Sequence, residues 1–255
     1  MRTRWMVPAL AIALAATLPS GVANAAAPNA AAGKPAPGKP GHHGKPGKPG
    51  KPAPGKPAPG KHGHHGKVRC EFIPTPENPA AKPVRPPRPW AKKRGAAEVT
   101  LRTNFGDIKI RMDRRATPCT VHNFVSLARQ RFYDRTRCWR LTNSARLGVL
   151  QCGDIYRAEE GGPGYKFDDE LTGKETYPRG TVAMGNWGPD TNSSQFFMVH
   201  SHANIPPAYT VFGRVTKGLR VLDRIVAGGI IPGPTNPQDG APKHPVKIHR
   251  VLVRH

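Results

Sequence analysis

The stretch from 185 to 199, GNWGPDTNSSQFFMV, places a large amide side chain between a polar turn and an aromatic pair. The Gly, Pro, Asp and Asn residues before Gln195 are turn formers, and residues 195–199 have the composition of a short buried strand. Burial explains Phe196 and Phe197, but Gln195 carries amide donors and an acceptor oxygen that need partners when they are buried. The backbone of a bound ligand is one such partner.

Other reactive residues in this part of the chain lack the spacing of common catalytic or binding motifs. Ser193 and Ser194 are not in the G-x-S-x-G elbow of a serine hydrolase. The acids at 168–170 lack the spacing of a calcium loop and are interpreted as a solvated turn. The glycines at 161–164 are not followed by the Lys-Ser or Lys-Thr of a phosphate-binding loop. We therefore predict neither a metal site nor a cofactor in the folded domain.

The N-terminal part of the chain has the composition of an export signal followed by a linker. Two arginines, an apolar run and the triplet Ala-Asn-Ala ending at Ala25 are typical of a secretory signal peptide over residues 1–25. An uncleaved membrane anchor is the alternative. Residues 26–97 are rich in Gly, Lys, Pro and His and cannot bury a core, which predicts a disordered basic linker. Its Pro-rich end, residues 68–97, contains Phe72 and Trp90, and partial docking of this end on the following domain is the alternative. The expected location is secreted or extracytoplasmic, at the cell envelope.

The chain carries a formal charge of +24 at pH 7. One interpretation of the basic linker is salt-sensitive binding to anionic cell-envelope polymers, and a well-hydrated stalk is the other. No nucleic-acid-binding motif accompanies the charge, so nucleic acid is not a predicted partner. Histidines at 42, 43, 62, 64 and 65 are able to share a divalent metal ion, an affinity that we interpret as adventitious. Nothing in the sequence requires more than a monomer.

The four cysteines are Cys70, Cys119, Cys138 and Cys152. In an exported chain an even number of cysteines permits disulfides, and four cysteines allow three complete pairings that the sequence does not rank. Because no C-x-x-C spacing is present, the sequence does not predict a zinc ribbon or a thioredoxin-type site.

Residues 98–255 have the size of a single domain. The predicted hairpin strands are 99–103 and 108–112, and further strand-like runs are 149–152, 181–184, 195–199, 209–215 and 246–253. The predicted helices are 117–131, capped by Thr117 and begun by Pro118, and 219–226, ended by Gly228. Many short strands with two isolated helices favour a barrel or sandwich with helical caps.

Four motifs in order along this region resemble those of cyclophilin-type peptidyl-prolyl isomerases. They are QCGD at 151–154, FDDE at 167–170, GTVAMGNWGPDTNSSQFFMV at 180–199 and YTVFGRV at 209–215. The resemblance covers roughly residues 98–253. It implies a mainly β fold, an eight-stranded antiparallel β-barrel capped by two α-helices, with a peptide groove on its outside. It also implies catalysed rotation about X-Pro bonds of proline-containing polypeptides, assisting the folding of exported proteins.

The resemblance further implies the site residues. Rotation about an X-Pro bond needs no nucleophile, but it needs a pocket for the ring and a cation that favours the twisted amide. Arg140 matches the catalytic arginine, Gln195 the residue that binds the substrate backbone, and Phe197 the pocket floor. The remaining substrate-binding matches are Val149, Gln151, Gly185, Asn186, Trp187, Ile205 and Tyr209.

The chain also departs from the family pattern. Trp139 stands where a His is usual, and Gly148, or Leu147 if the loop shifts, stands where a Phe usually lines the pocket. Trp187 replaces a small residue and is expected to narrow the groove or add apolar contact area. These departures favour an alternative function, a proline-peptide binding or chaperone module with low activity, tethered to the envelope by its basic tail.

Overall fold

The computed structural model describes residues 66–254, which lie within one compact unit. The predicted signal peptide, residues 26–65 of the predicted linker and the five tail histidines lie outside the described residues. Neither helix between 66 and 254 is long and apolar enough to cross a membrane.

Sixteen strands and two helices follow one another in the described residues. They are β1 Lys67–Arg69, β2 Ile73–Pro74, β3 Trp90–Lys92, β4 Ala96–Thr103, β5 Gly106–Asp113, α1 Pro118–Arg129, β6 Thr136–Cys138, β7 Arg140–Thr142, β8 Leu147–Cys152, β9 Tyr165–Lys166, β10 Tyr177–Pro178, β11 Thr181–Met184, β12 Phe196–Ala203, β13 Val211–Lys217, α2 Leu219–Ala227, β14 Ile230–Pro232, β15 Asp239–Pro242 and β16 Val246–Arg254.

A curled antiparallel sheet of twelve strands is the centre of the fold, in agreement with the predicted mainly β class with two helices. Its order is β14, β15, β7, β8, β12, β11, β13, β5, β4, β16 and β6, and β10 pairs with β12. β6 and β7 are separated only by Trp139, yet β6 pairs with β16 and β7 with β8. The sheet therefore curls back on itself. Its strands outnumber the predicted eight because interruptions such as Trp139 divide them.

The predicted hairpin is confirmed as β4 and β5, which pair over their whole length from Ala96 with Asp113 to Thr103 with Gly106. Gly106 has a φ of +119°, a backbone conformation that favours glycine, and it closes the turn. The second predicted helix is confirmed as α2, and Gly228 follows it as expected.

The first predicted helix is confirmed as α1, but its cap is different from the predicted one. The Thr117 hydroxyl donates to the carbonyl of Asp113 and makes no capping hydrogen bond. The carboxylate of Glu170 instead accepts the backbone N–H groups of Cys119 at 3.0 Å and Thr120 at 2.8 Å. Glu170 was interpreted as part of a solvated turn, whereas burial raises its pKa and these hydrogen bonds oppose that rise. An acid far away in sequence thus complements the helix N-terminus.

Both helices and the inner face of the sheet share one apolar core. Its largest fully buried side chains are Tyr133, Tyr165, Phe124, Phe132, Phe167, Phe196 and Phe212. Phe124 of α1 stacks on Tyr133 with centroids 4.9 Å apart and meets Phe196 of β12 edge-on at 5.2 Å. Each buried aromatic ring contributes several kcal/mol, so this cluster dominates the stability of the fold.

The cysteines form two disulfides, Cys70 with Cys119 and Cys138 with Cys152, which settles the three pairings left open by the sequence. The first ties the N-terminal segment to α1. The second joins β6 to β8, across the point where the sheet curls back on itself.

Residues 66–97 correct the predicted linker, because they pack against the barrel instead of forming a disordered stalk. The Phe72 ring lies edge-on to Tyr165, with centroids 5.6 Å apart. The ammonium group of Lys82 donates to the carbonyls of Phe132 at 2.8 Å and Asp134 at 2.7 Å. The Pro-rich composition indicated at most partial docking, because much of the attachment comes from polar contacts such as those of Lys82 and from the pairing of β2 with β9, which have no local sequence signal.

Candidate active site

A second apolar cluster lies on the outer face of the sheet, and we call it the outer pocket. Its buried members are Val149, Tyr177, Ala183, Phe197, Val199 and Ala203, with Leu147, Ile205, Tyr209 and Val211 packed against them. Strand alternation in β12 produces it, because Phe196 and Met198 join the core whereas Phe197 and Val199 point outward. Four predicted site residues, Val149, Phe197, Ile205 and Tyr209, meet in this pocket.

Tyr177, which the sequence analysis did not select, holds one wall of the outer pocket in place. Its hydroxyl donates to the carbonyl of Tyr209 at 3.1 Å and accepts from the Tyr209 backbone N–H at 3.1 Å. The Tyr209 ring lies edge-on to Phe197 with centroids 5.7 Å apart. The pocket is thus a rigid aromatic corner next to Phe197.

Arg140, Gln151 and Phe197 form one row across three neighbouring strands. Arg140 of β7 lies opposite Gln151 of β8, which lies opposite Phe197 of β12. Residues directly opposite each other in an antiparallel sheet point to the same face, and strands are about 4.8 Å apart. The sheet therefore brings the guanidinium and the amide to the edge of the outer pocket.

The Arg140 guanidinium is held by a carboxylate that the sequence did not predict. Its Nε and Nη2 donate to the two carboxylate oxygens of Asp239 at 2.8 and 2.7 Å. Its Nη1 donates to Gln151 Oε1 at 3.2 Å and lies 3.7 Å from Glu159. The hydrogen bonds to Asp239 raise the pKa of Arg140, although partial burial opposes that rise. The group is permanently charged, fixed in orientation and 28% exposed.

Buried amide and carboxylate side chains continue the polar network beyond Arg140. Gln195 Nε2 donates to Asp154 Oδ1 at 3.0 Å, and both side chains are buried. The Gln151 side chain lies near Asp154 and helps to lower the pKa of that carboxyl group. The contact does not meet the geometry of a hydrogen bond, so the buried Gln151 Nε2 has no hydrogen-bond partner among residues 66–254. A buried amide nitrogen without a hydrogen-bond partner is an exception among buried polar groups.

Asp154 is the buried titratable group of this network. Burial raises the pKa of Asp154 to about 6, against the lowering effect of hydrogen bonds from Gln195 and the Glu159 backbone N–H and of the nearby Gln151 side chain. At neutral pH the ionised carboxylate holds Gln195 Nε2 inward, and this leaves Gln195 Oε1 as the acceptor.

Gly185 gives Gln195 its space, because a Cβ at position 185 would lie 2.2 Å from Gln195 Oε1. Its backbone N–H donates to the carbonyl of Gln195 at 3.0 Å. The next residue, Asn186, turns its side chain away and donates to the Ala208 carbonyl at 2.9 Å. Gly185 thus acts through Gln195, while Asn186 joins the loop to the segment that carries Tyr209.

The two tryptophans near the site differ in exposure. Trp187 is 66% exposed, and its backbone N–H donates to Thr191 at 2.8 Å. Trp139 is half-buried, and its ring lies 5.5 Å below the Arg137 guanidinium in a cation–π contact. Trp187 therefore offers an exposed apolar surface, whereas one face of the Trp139 ring is covered by Arg137.

Gly148 is glycine because neighbouring side chains fill the space beside it. A Cβ there would lie 1.9 Å from Ser201 Oγ and 3.0 Å from His200 Cε1. His200 is buried and its Nε2 hydrogen-bonds the Thr142 carbonyl at 2.8 Å. Leu147, the alternative at this position, packs against the outer pocket and supplies the apolar contact.

The structure thus brings most of the predicted site residues to one face of the sheet, and it adds three acids. Asp154 stood in the QCGD motif but was given no role. Glu159 and Asp239 carried no local signal, and Asp239 is 99 positions from the arginine that it holds. Only the fold brings them together.

A curled antiparallel sheet with an arginine, two amides and an aromatic pocket on its outer face defines a class of barrel-like protein that carries its candidate site on the outside of the sheet. Residues 98–253 match the family model described as cyclophilin type peptidyl-prolyl cis-trans isomerase/CLD. The chain belongs to this family.

Curated relatives include bacterial proteins named as isomerases. The chain is 44% identical over 189 residues to a probable peptidyl-prolyl cis-trans isomerase B of Mycobacterium leprae, covering 68% of this chain and 63% of that protein. The Mycobacterium tuberculosis counterpart is also 44% identical, with 60% of it covered. The chain thus spans about three fifths of the length of these relatives. For peptidyl-prolyl cis-trans isomerase B of Streptomyces anulatus the identity is 38%, with 61% of this chain and 95% of that protein covered.

A solved structure with a similar fold is a cyclophilin type peptidyl-prolyl cis-trans isomerase of Cryptosporidium parvum. It is 25% identical, has a TM-score of 0.53, and the match covers 63% of this chain and 99% of that one. A second structure of that isomerase, in the presence of the dipeptide Ala-Pro, has a TM-score of 0.51, with 62% of this chain and 99% of that one covered.

Proposed function

We propose that the protein is a peptidyl-prolyl cis-trans isomerase that accelerates rotation about X-Pro bonds in polypeptides. The observation that carries this proposal is the row formed by Arg140, Gln151 and Phe197, which sets a fixed guanidinium and an unpaired amide donor beside an apolar pocket. The relatives named as isomerases support the same activity.

The reaction requires the stabilisation of a twisted amide. The barrier of about 18 to 20 kcal/mol comes from amide resonance, which is lost when the bond rotates. The prolyl nitrogen then gains lone-pair character, so a nearby cation stabilises the transition state more than the planar ground state. A guanidinium has five N–H donors, and Asp239 and Gln151 take three in Arg140, which leaves two for the substrate.

The other groove residues bind and orient the peptide. The proline ring occupies the outer pocket against Phe197 and Tyr209, and Gln151 Nε2 donates to a substrate carbonyl. Gln195 Oε1 and the backbone of Asn186 bind the segment before the proline. Trp187 offers its exposed ring to an apolar side chain of the same segment.

We also propose that the protein acts on exported proteins outside the cytoplasm. The pattern of residues 1–25 and the pairing of all four cysteines in disulfides support export. Binding of the basic residues 26–65 to anionic envelope polymers stays a prediction.

A second candidate is a proline-peptide binding module with slow turnover. The ion pair with Asp239 favours it, because the negative charge of the carboxylate offsets part of the attraction between the guanidinium and the prolyl nitrogen of the twisted amide.

Exchange NMR on an Ala-Pro peptide with the full chain separates the two candidates. Isomerase function predicts catalysed cis/trans exchange at substoichiometric protein. Peptide binding without faster exchange contradicts it and supports the binding module.

A further inference from the structure

The loop between β7 and β8, residues 143–146, is fastened to the rim of the outer pocket. The backbone N–H of Asn204 donates to the Arg146 carbonyl at 2.8 Å, and Arg146 Nε donates to the Asn204 carbonyl at 3.2 Å. The sequence neighbours of these two residues, Leu147 and Ile205, both pack against the outer pocket. The Arg146 guanidinium is therefore held at this rim.

The outer end of this guanidinium has no partner among the described residues. Arg146 is exposed and takes part in none of the four ion pairs between residues 66 and 254. Asp239, which lies opposite Thr142 at the start of the loop, is already held by Arg140. The two Nη groups of Arg146 thus remain free to bind a carboxylate, which guanidinium groups recognise through two parallel hydrogen bonds.

Arg146 lies at the end of the outer pocket that is farthest from Gln195. The register of β12 and β8 is Phe197 with Gln151, Val199 with Val149 and Ala203 with Leu147. The pocket therefore extends from Gln195 toward Leu147. A peptide whose segment before proline binds Gln195 and Asn186 directs the residues after proline toward Arg146.

We propose that Arg146 is a specificity-determining residue that selects polypeptides with Asp or Glu within the first three residues after the proline. This inference rests on the isomerase function and the peptide direction proposed above. Because the contact is partly exposed, the expected preference is modest, about threefold in kcat/KM over a neutral residue.

The test compares four peptides that share an Ala-Pro core and carry Glu, Gln or Lys two residues after the proline, or Glu two residues before it. Exchange NMR with the full chain gives kcat/KM for each. The wild type should prefer Glu after proline over Gln by about threefold, and Gln over Lys, with a preference that weakens as salt is raised.

Variants assign the preference to Arg146. In Arg146→Gln, the peptides with Glu and Gln after the proline should have equal kcat/KM. In Arg146→Glu, the peptide with Lys should have a higher kcat/KM than the peptide with Glu. Arg250→Gln removes the same charge from an exposed position on β16 and should keep the wild-type ratio.

Three results overturn the inference: no preference for Glu in the wild type, an unchanged ratio in Arg146→Gln, or dependence on Arg146 only for the peptide with Glu before proline. Failure of the proposed function is distinguishable, because the wild type would then not accelerate exchange of the neutral Gln peptide either.

Discussion

The inner and outer faces of the curled sheet are built differently, although the same strands supply both. The inner face is filled with aromatic rings such as Phe124 and Phe196, which are completely buried. The outer face has a small apolar cluster beside a network of Arg140, Gln151 and Asp154, in which one amide nitrogen has no partner among the described residues. Side chains of the inner face are therefore used for packing alone, whereas the outer face also contains polar groups whose hydrogen-bonding capacity is not fully used.

Truncation of Phe124 tests the inner side of this comparison. Phe124→Ala removes a ring that contacts three other aromatic side chains, so it should lower the free energy of unfolding by about 3 to 5 kcal/mol. Urea unfolding measures this loss. Phe197→Ala, on the outer face, is the matched variant and should cost less. Equal losses would show that the two faces do not differ in this way.

Removal of the two disulfides separates stability from groove geometry. Cys70→Ser with Cys119→Ser opens a link over 49 residues and should cost about 2 to 4 kcal/mol in unfolding, measured with denaturant. Cys138→Ser with Cys152→Ser should in addition lower the activity of the folded protein, because these cysteines flank Arg140 and Gln151. The same activity loss in both double variants would contradict this distinction.

Asp239→Asn tests whether the carboxylate of Asp239 positions the Arg140 guanidinium on the outer face. The substitution keeps the size of the side chain but removes the charge that orients Arg140, and kcat should fall about fivefold, or about 1 kcal/mol, with a smaller change in KM. Asp223→Asn is the control, because Asp223 forms an ion pair with Arg179 at 2.7 Å. An equal or higher kcat in Asp239→Asn would mean that the pair does not position Arg140 for catalysis.

Acidification should weaken catalysis through Asp154. Its pKa of about 6 means that the carboxylate is charged above that pH and accepts a hydrogen bond from Gln195, and that it is protonated below. For an uncharged peptide, kcat/KM should fall about twofold to threefold as the pH falls from 7 to 5.5. Asp154→Asn should flatten the profile in this range. A sloping profile that persists in Asp154→Asn would assign the titration to another group, such as His200.

The sequence predicted the parts of the fold that depend on local pattern. Alternation over 99–112 marked the β4 and β5 hairpin, and Pro118 with helical apolar spacing marked α1. The cap of α1 escaped prediction, because Glu170 lies fifty positions from Thr120 in the sequence. Docking of residues 66–97 was anticipated only in part, from the aromatic residues Phe72 and Trp90, because the composition of this segment is otherwise that of a linker.

The motifs identified most candidate site residues, but they did not predict the hydrogen-bond and ion-pair partners of these residues. The amide of Gln195 was recognised as a buried group in need of partners, and the structure supplies Asp154. The partnership of Arg140 with Asp239 has no sequence signal, because β15 joins β7 only through the sheet. Gly148 stands where a Phe usually lines the pocket, and the sequence did not reveal that the side chains of Ser201 and His200 fill the space beside it.

The role of Arg140 is best tested by the kcat/KM of Arg140→Ala for an X-Pro peptide, measured by exchange NMR with the full chain beside wild type and Arg250→Ala. We expect a loss of at least about tenfold, about 1.4 kcal/mol of transition-state stabilisation, with unfolding little changed and the Arg250 variant active. Wild-type activity in a folded Arg140→Ala protein would show that the guanidinium takes no part in catalysis.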